Sequence, residues 1–294
     1  MRFGVFLPPF AEFADPRRVM ALATAAEDAG WDGFFLWDHM LARPGVAVAD
    51  AWVTMAAVAT ATKRMRLGAL VTPLPRRRPW VLARQMATLD QLSRGRLIAG
   101  IGLGDDGWKE FSAFGDETSP VLRGEMLDES LELLQRLLGG EAVRFEGRHY
   151  AVATTPFLPR PQQHPLPIWG AVRWPNRRPL VRIAHLQGCF PIFASSGAPS
   201  PPAPDDIVAI RSTLAELGGD PDIDIAIRYA LSLEDPAAIP EAVVSLEEAG
   251  VTWILEAIAA GEQPESVERV VRHGPPTQSH PSPPASVDTP QTTE

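Results

Sequence analysis

Short apolar runs alternate with longer stretches of helical spacing along most of the chain. The unit most sharply delimited spans residues 66–104. Arg66-Leu67-Gly68-Ala69-Leu70-Val71 ends at Thr72-Pro73, and Leu97-Ile98-Ala99-Gly100-Ile101-Gly102 ends at Leu103-Gly104. Both runs are too short for buried helices and are bounded by Pro or Gly, so they predict strands. Between them Leu82, Met86, Leu89 and Leu92 recur at helical spacing. A strand, helix, strand unit of this kind makes a parallel pair with a right-handed crossover. The glycines that close the second run leave backbone uncovered where a ligand could approach.

The alternation extends in both directions. Residues 3–7 predict a first strand, and Asp15-Pro16 supplies an N-cap followed by proline at the first helical position, with Gly30 closing that helix. Residues 31–37 predict the next strand, ending in Asp38-His39, and residues 49–62 the next helix. Leu127, Leu131, Leu134 and Leu138 form one stripe of a long amphipathic helix over 117–138. Residues 143–152, with Gly147, predict a small hairpin outside the main pattern. Further strands are expected at 167–172, 188–194, 223–231 and 251–257, and further helices at 175–185, 204–217, from Asp235-Pro236 to Gly250, and at 263–273. Ala26-Glu27-Asp28-Ala29-Gly30 matches Leu246-Glu247-Glu248-Ala249-Gly250, as if one β/α building block were reused. Eight strands, each followed by a helix, predict an α/β fold, a (β/α)8 TIM barrel over residues 1–273 with long loops at its C-terminal face. Residues 274–294 hold six prolines among Ser, Thr and Gln and predict a disordered tail.

Composition narrows the class. With 294 residues, 45% of them hydrophobic, the chain can bury one barrel-sized core. A net charge of −9 argues against nucleic acid or an anionic membrane as partner. One cysteine, Cys189, excludes an internal disulfide and a multi-thiolate metal site, and suits a reducing cytoplasm. Met1-Arg2 leads straight into an apolar strand, not a signal peptide, and no run approaches a membrane span, so a soluble, cytoplasmic protein is expected. His149, His164, His185 and His273 lack metal-ligand spacing, and no metal site is expected.

In a barrel the site lies in the loops after the strands. Here those loops cover 39–49, 72–78, 104–116, 173–178 and 195–204. Trp37, Trp52, Trp108, Trp169 and Trp174 fall at or near strand exits, enough flat apolar surface for a planar ring, although packing also accounts for single tryptophans. Arg76, Arg77 and Arg78 sit at the mouth, either to attract an anionic group or to pair with acids such as Asp105 and Asp106.

Four stretches in order resemble the luciferase-like monooxygenase family, the flavin- and deazaflavin-dependent barrel enzymes related to bacterial luciferase. They are Arg2 through Leu7; Ala26-Glu27-Asp28-Ala29-Gly30-Trp31-Asp32 leading to Asp38-His39; the 66–104 unit with Leu89-Asp90-Gln91-Leu92-Ser93-Arg94-Gly95-Arg96; and Arg123-Gly124-Glu125-Met126-Leu127-Asp128-Glu129 followed by Phe145-Glu146-Gly147-Arg148-His149-Tyr150. The resemblance implies a planar ring in the barrel mouth. It also implies a non-proline cis peptide at Ala69–Leu70 or Leu70–Val71 against the ring's buried face, an ordinary strand being the alternative. Ala69, Leu70, Val71, Thr72, Gly102 and Gly104 are then expected at the cofactor.

Gly170 and Ala171 stand where relatives carry paired glycines before a phosphate-holding helix start. This chain keeps one glycine there and supplies Arg173, Asn176, Arg177 and Arg178, an anion site or a solvated turn. His39 and Asp38 match the position where an imidazole and an acid meet ring or substrate. Histidine suits proton exchange near neutral pH, and Asp38 would orient it, bind substrate or merely cap the following loop. Trp37, Trp52, Trp108 and Trp174 are expected to wall a substrate pocket. The Asp38-His39 pair leans toward the deazaflavin coenzyme F420, with FMN the other candidate. The implied function is hydride or oxygen transfer to a small organic substrate, in a possible homodimer. A non-catalytic flavin-binding barrel is the competing reading, and a metal-dependent hydrolase is disfavoured by the lack of ligand sets at the strand ends.

Overall fold

The computed structural model describes residues 1–193 and 201–276. Strand β1 (Arg2–Leu7) leads to α1 (Pro16–Asp28), and β2 (Gly33–Leu36) to α2 (Ala51–Ala61). The third strand is in two pieces, β3 (Arg66–Ala69) and β4 (Thr72–Pro73), before α3 (Pro79–Ser93). Then come β5 (Ala99–Gly102) and α4 (Pro120–Leu138), followed by the expected antiparallel hairpin of β6 (Arg144–Glu146) and β7 (Ala151–Ala153). The series closes with β8 (Ile168–Arg173) and α5 (Leu180–Ile183), β9 (Gly188–Ile192) and α6 (Pro204–Glu216), β10 (Asp224–Tyr229) and α7 (Ile239–Glu248), and β11 (Trp253–Ala257) and α8 (Pro264–His273).

The main sheet is parallel and runs β3-β2-β1-β11-β10-β9-β8-β5-β4. Because β3 and β4 are consecutive pieces of one strand, the sheet closes on itself, and the expected (β/α)8 barrel results. The order places β10 diametrically across the barrel from the split strand. Proline stands in the first turn of α1, α3, α4, α6, α7 and α8, so much of the chain's proline marks helix starts.

Three boundaries differ from the sequence-based expectation. The third strand, expected as one run, breaks after Ala69. The helix expected over 175–185 shrinks to α5, because Asn176 Oδ1 accepts the Arg178 N–H in a turn and Pro179 disfavours helix at the residue before it. The helix expected from Asp235-Pro236 starts at Ile239, since the Asp235 carboxylate accepts the Ala237 N–H and forms a separate turn. The loop expected at 195–204 and the tail expected at 274–294 fall largely outside the described residues.

The stretches that carry the family resemblance act as fasteners. Glu27 on α1 is buried and accepts the amides of Lys63, Arg64 and Met65, which fixes the turn into β3. Burial opposes its charge, but those amides outweigh it and hold the carboxyl below its ordinary range. Arg96 gives its guanidinium to the carbonyls of Ala59, Thr62 and Met65 at the end of α2. Glu129 on α4 accepts the amides of Arg148, His149 and Tyr150, so the last two matching segments are in direct contact.

Two apolar layers result. One fills the space between strands and helices; the other lies inside the barrel and includes Phe6, Phe35, Trp169, Phe190, Trp253 and Leu255. The rings of Phe35, Trp169 and Trp253 meet at 5.6–5.8 Å and plug the barrel floor. Trp169 therefore belongs to this plug, not to the mouth. Gly68 is required where β3 crosses the start of the next strand, because a Cβ there would lie 1.8 Å from the Ile98 carbonyl oxygen.

Candidate active site

Above the plug the barrel opens into a cavity of about 380 Å³ at the C-terminal ends of the strands, within the size range of small-ligand sites. One wall is Leu70 and Val71, whose peptide bond is cis, as one of the two expected positions requires. Gly102, Gly104, Gly170 and Ala171 continue it. A Cβ on Gly102 would come within 2.7 Å of Val71 Cγ1, and one on Gly104 within 2.8 Å of Phe111 and Pro73, so the wall is flat because these residues have no side chain. Ala69 and Thr72 lie behind this wall, buried, and do not line the cavity.

Asp38 and His39 both line the cavity but do not engage each other as expected. The Asp38 carboxylate is buried and consumed by four donors: Arg76, Arg77, the Thr72 hydroxyl at 2.8 Å and the Trp52 indole at 3.2 Å. His39 is held by Glu110, with Nδ1 and Oε2 2.8 Å apart. The other Glu110 oxygen accepts the Met40 and Leu41 amides and the Arg76 guanidinium. Arg76 thus bridges two buried carboxylates, 3.1 Å from Asp38 and 3.0 Å from Glu110. Burial alone would push the Glu110 carboxyl up, but His39, the Met40 amide and Arg76 together hold it below its ordinary range. An anionic Glu110 accepts the hydrogen on His39 Nδ1, so Nε2 is the ring nitrogen left without this partner.

Glu110 is the functional candidate that the sequence analysis misses. Its loop has no periodicity; the available signal was an acid set between Trp108 and Phe111 in an otherwise polar stretch. Phe111 is fully buried and carries the Arg123 guanidinium 4.3 Å from its ring centroid, which fastens this loop to α4. Arg76 and Arg77 fit neither expected role, for their partners are the site's own buried acids, whereas Asp105 pairs with Arg173 and Asp106 caps the Phe111 and Ser112 amides. Arg78 stands 5.8 Å over the Trp80 ring.

The four tryptophans expected in the pocket have four different settings. Trp37 lines the cavity. Trp108 packs on His39 with centroids 4.8 Å apart and covers it from the loop side. Trp52 is a buried donor to Asp38 and Thr72 behind the wall. Trp174 turns away and donates to Asp206 at 2.8 Å. At the expected phosphate turn, Arg173 and Asn176 reach the cavity, while Arg177 and Arg178 are exposed and do not line it. Cys189 is buried in β9, its thiol pushed up to about 12 by burial, and takes no part. Among the described residues no cluster of three or more His, Cys, Asp or Glu is arranged to hold a metal ion, and no helix is long and apolar enough to cross a membrane.

A parallel barrel with an aliphatic wall beside an imidazole–carboxylate pair at its mouth defines a small-molecule site. The chain belongs to the luciferase-like monooxygenase family, whose model matches residues 1–246. It is 32% identical over 229 residues to an F420-dependent glucose-6-phosphate dehydrogenase of Nakamurella multipartita, covering 74% of this chain and 63% of that protein. It is 34% identical over 169 residues to the protein of that name in Amycolatopsis mediterranei, covering 56% of this chain and 50% of that one. The chain thus spans between half and about two-thirds of these relatives' length. Among solved structures it resembles a monooxygenase from Streptomyces bottropensis, with a TM-score of 0.75, 22% identity and 92% and 97% of the two chains covered. An F420-dependent secondary alcohol dehydrogenase in complex with an F420–acetone adduct gives 0.72 at 18% identity, with 86% and 92% covered.

Proposed function

We propose that this chain is a flavin- or deazaflavin-dependent oxidoreductase acting on a small organic substrate, with the deazaflavin coenzyme F420 as the preferred cofactor. The observation that carries the reading is one cavity lined by the flat wall of Leu70, Val71, Gly102 and Gly104 and, on the same arc of the rim, by the His39–Glu110 pair. The names of the sequence relatives support F420; FMN is the alternative. When bound, such a ring carries hydride or, as reduced flavin, activates oxygen, which no side chain here can do.

The residues do the rest. Leu70 and Val71 back the ring, and Gly102, Gly104, Gly170 and Ala171 leave room for its edge. Arg173 and Asn176 at the rim hold its anionic tail. His39 takes or returns the substrate's proton at Nε2, while Glu110 fixes the orientation of the imidazole through Nδ1. Asp38 is a positioning residue that holds Arg76 and through it Glu110. Trp37 and Trp108 pack against the imidazole and limit the ways it can turn.

The test is titration of the full-length protein with F420 and with FMN, following absorbance and ring fluorescence. Saturable binding of F420, with turnover lost and binding kept in His39→Ala, is the expected result. Failure of both rings to bind overturns the reading, and a tightly held ring with no consumption of reductant marks a binding module. We also infer a homodimer through α2 and α3. The outer side of the uncharged, mostly apolar α2 exposes Val53 by 66%, and neighbouring α3 exposes Val81 by 50%. Sedimentation of Val53→Asp as a monomer is the check. The lone buried Cys189 fits a cytoplasmic setting.

A further inference from the structure

Of the charged side chains lining the cavity that the reading above leaves without a task, Asp105 and Arg182 are in ion pairs and, among the described residues, Arg228 is not. Arg228 lies on β10 and lines the cavity from the strand diametrically opposite Leu70 and Val71. Its flanking residues Ile227 and Tyr229 pack toward the helices, whereas Ala226, two residues before it, belongs to the inner layer. The side chain of Arg228 therefore points into the barrel. Around it the cavity is lined by Phe6, Phe190 and Ile192.

Every other arginine of the mouth that reaches the cavity region has an acid: Arg76 and Arg77 share Asp38, Arg173 pairs with Asp105 and Arg182 with Asp128. Arg228 meets no carboxylate and no hydrogen-bond acceptor among the described residues. Burial, with Arg173 nearby, lowers its guanidinium from the ordinary arginine range, but an arginine stays protonated even so. A partly buried, unpaired charge costs stability and is not a device for folding. Its geometry suits recognition, because a guanidinium offers a planar fork to carboxylate or phosphate oxygens, and it does so more strongly where water is scarce.

We propose that Arg228 anchors an anionic group of the substrate, a carboxylate or a phosphate monoester, so that this enzyme takes organic anions with an apolar body. The anion sits on β10, the apolar part lies along Phe6, Phe190 and Ile192, and the reacting carbon reaches the space between His39 and the Leu70–Val71 wall. Arg173 is near enough for its charge to act on Arg228, so the two guanidiniums divide the cavity, Arg173 on β8 taking the cofactor tail and Arg228 on β10 the substrate anion. The inference deepens the proposed function and rests on it for the word substrate, but anion binding at Arg228 can be measured without any ring present.

The experiment is calorimetric titration of the full-length protein, alone and loaded with F420 or FMN, with hexanoate, hexyl phosphate and 1-hexanol. At least one anion is expected to bind about tenfold or more tightly than the alcohol. Arg228→Gln is expected to lose about tenfold or more of that anion affinity, and Arg228→Lys to keep part of it as a point charge. Ring affinity stays within about twofold in both variants. Without ligand, Arg228→Gln melts at a higher temperature than the parent, since an unpaired charge has been removed. Whichever of the two anions binds distinguishes carboxylate from phosphate. Anions bound no better than hexanol, anion affinity unchanged in Arg228→Gln, ring affinity lost along with it, or a lowered melting temperature would each overturn the proposal. Anion binding that depends on Arg228 in a protein that takes neither ring would instead sink the oxidoreductase reading and leave the anion site standing.

Discussion

His39 and Glu110 lie 71 residues apart in the chain and meet at 2.8 Å. The contact joins the end of β2 to the loop after β5, and the same carboxylate accepts the Met40 and Leu41 amides. An acid so placed holds the imidazole in one orientation and fixes which ring nitrogen faces the carboxylate, which is how a carboxylate prepares a histidine for proton transfer.

Glu110→Gln keeps the shape of the pair and removes its charge. Turnover is expected to fall by about a hundredfold, with ring affinity nearly unchanged. Steady-state rates across pH, together with a ring titration, check this. Unchanged turnover would remove Glu110 from the mechanism.

The same substitution has a stability consequence with a definite sign. Glu110's carboxyl is held below its ordinary value in the fold, so its stabilising contribution is complete above the unfolded value of about 4.3 and is lost as pH falls through the lowered folded value. Denaturant melts of the variant are expected to show a deficit of about 3 kcal/mol at neutral pH. The deficit shrinks in acid.

Glu256 behaves in the opposite sense. It is buried on β11 beside Ser232, and burial raises its carboxyl despite hydrogen bonds from the Ser232 hydroxyl and backbone. Its ionisation therefore costs stability as pH rises from the unfolded value of about 4.3 through the raised folded one, and the cost is full above it. Glu256→Gln is expected to gain about 1 kcal/mol at pH 8, a gain that vanishes near pH 4. Melts at the two pH values measure the difference directly.

Two glycines separate scaffold from site. Gly68→Ala would place a Cβ against the backbone oxygen of Ile98, which cannot move aside, and is expected to yield insoluble or unfolded protein. Gly102→Ala meets the end of the Val71 side chain in the cavity wall. It should fold, lose about 1 to 2 kcal/mol by overpacking, and bind the ring at least tenfold more weakly. Soluble expression and ring titration of the two variants give the comparison.

How much of this was legible in the sequence follows from where order is local. The barrel was readable because Pro, Gly and capping residues punctuate strand and helix, as Asp15-Pro16 and Gly30 do around α1. The motifs that carried the family resemblance proved to be mechanical: Glu27, Arg96 and Glu129 hold turns by charge and backbone hydrogen bonds. The chemistry was less visible. Asp38 and His39 look like partners because they are adjacent, yet each finds its partner far along the chain, Asp38 in Arg76 and Arg77 and His39 in Glu110. Glu110 and Arg228 depend on long-range closure of the barrel. Only the inward parity of Arg228, two residues after Ala226, hinted at its place.

Arg76 grips the end of β2 and the loop after β5 while itself sitting in the loop after β4. One arc of the rim is therefore a fixed jamb, clasped by buried charges that cannot part without stranding an ion in apolar surroundings. Any widening of the mouth on this side has to part those ion pairs first.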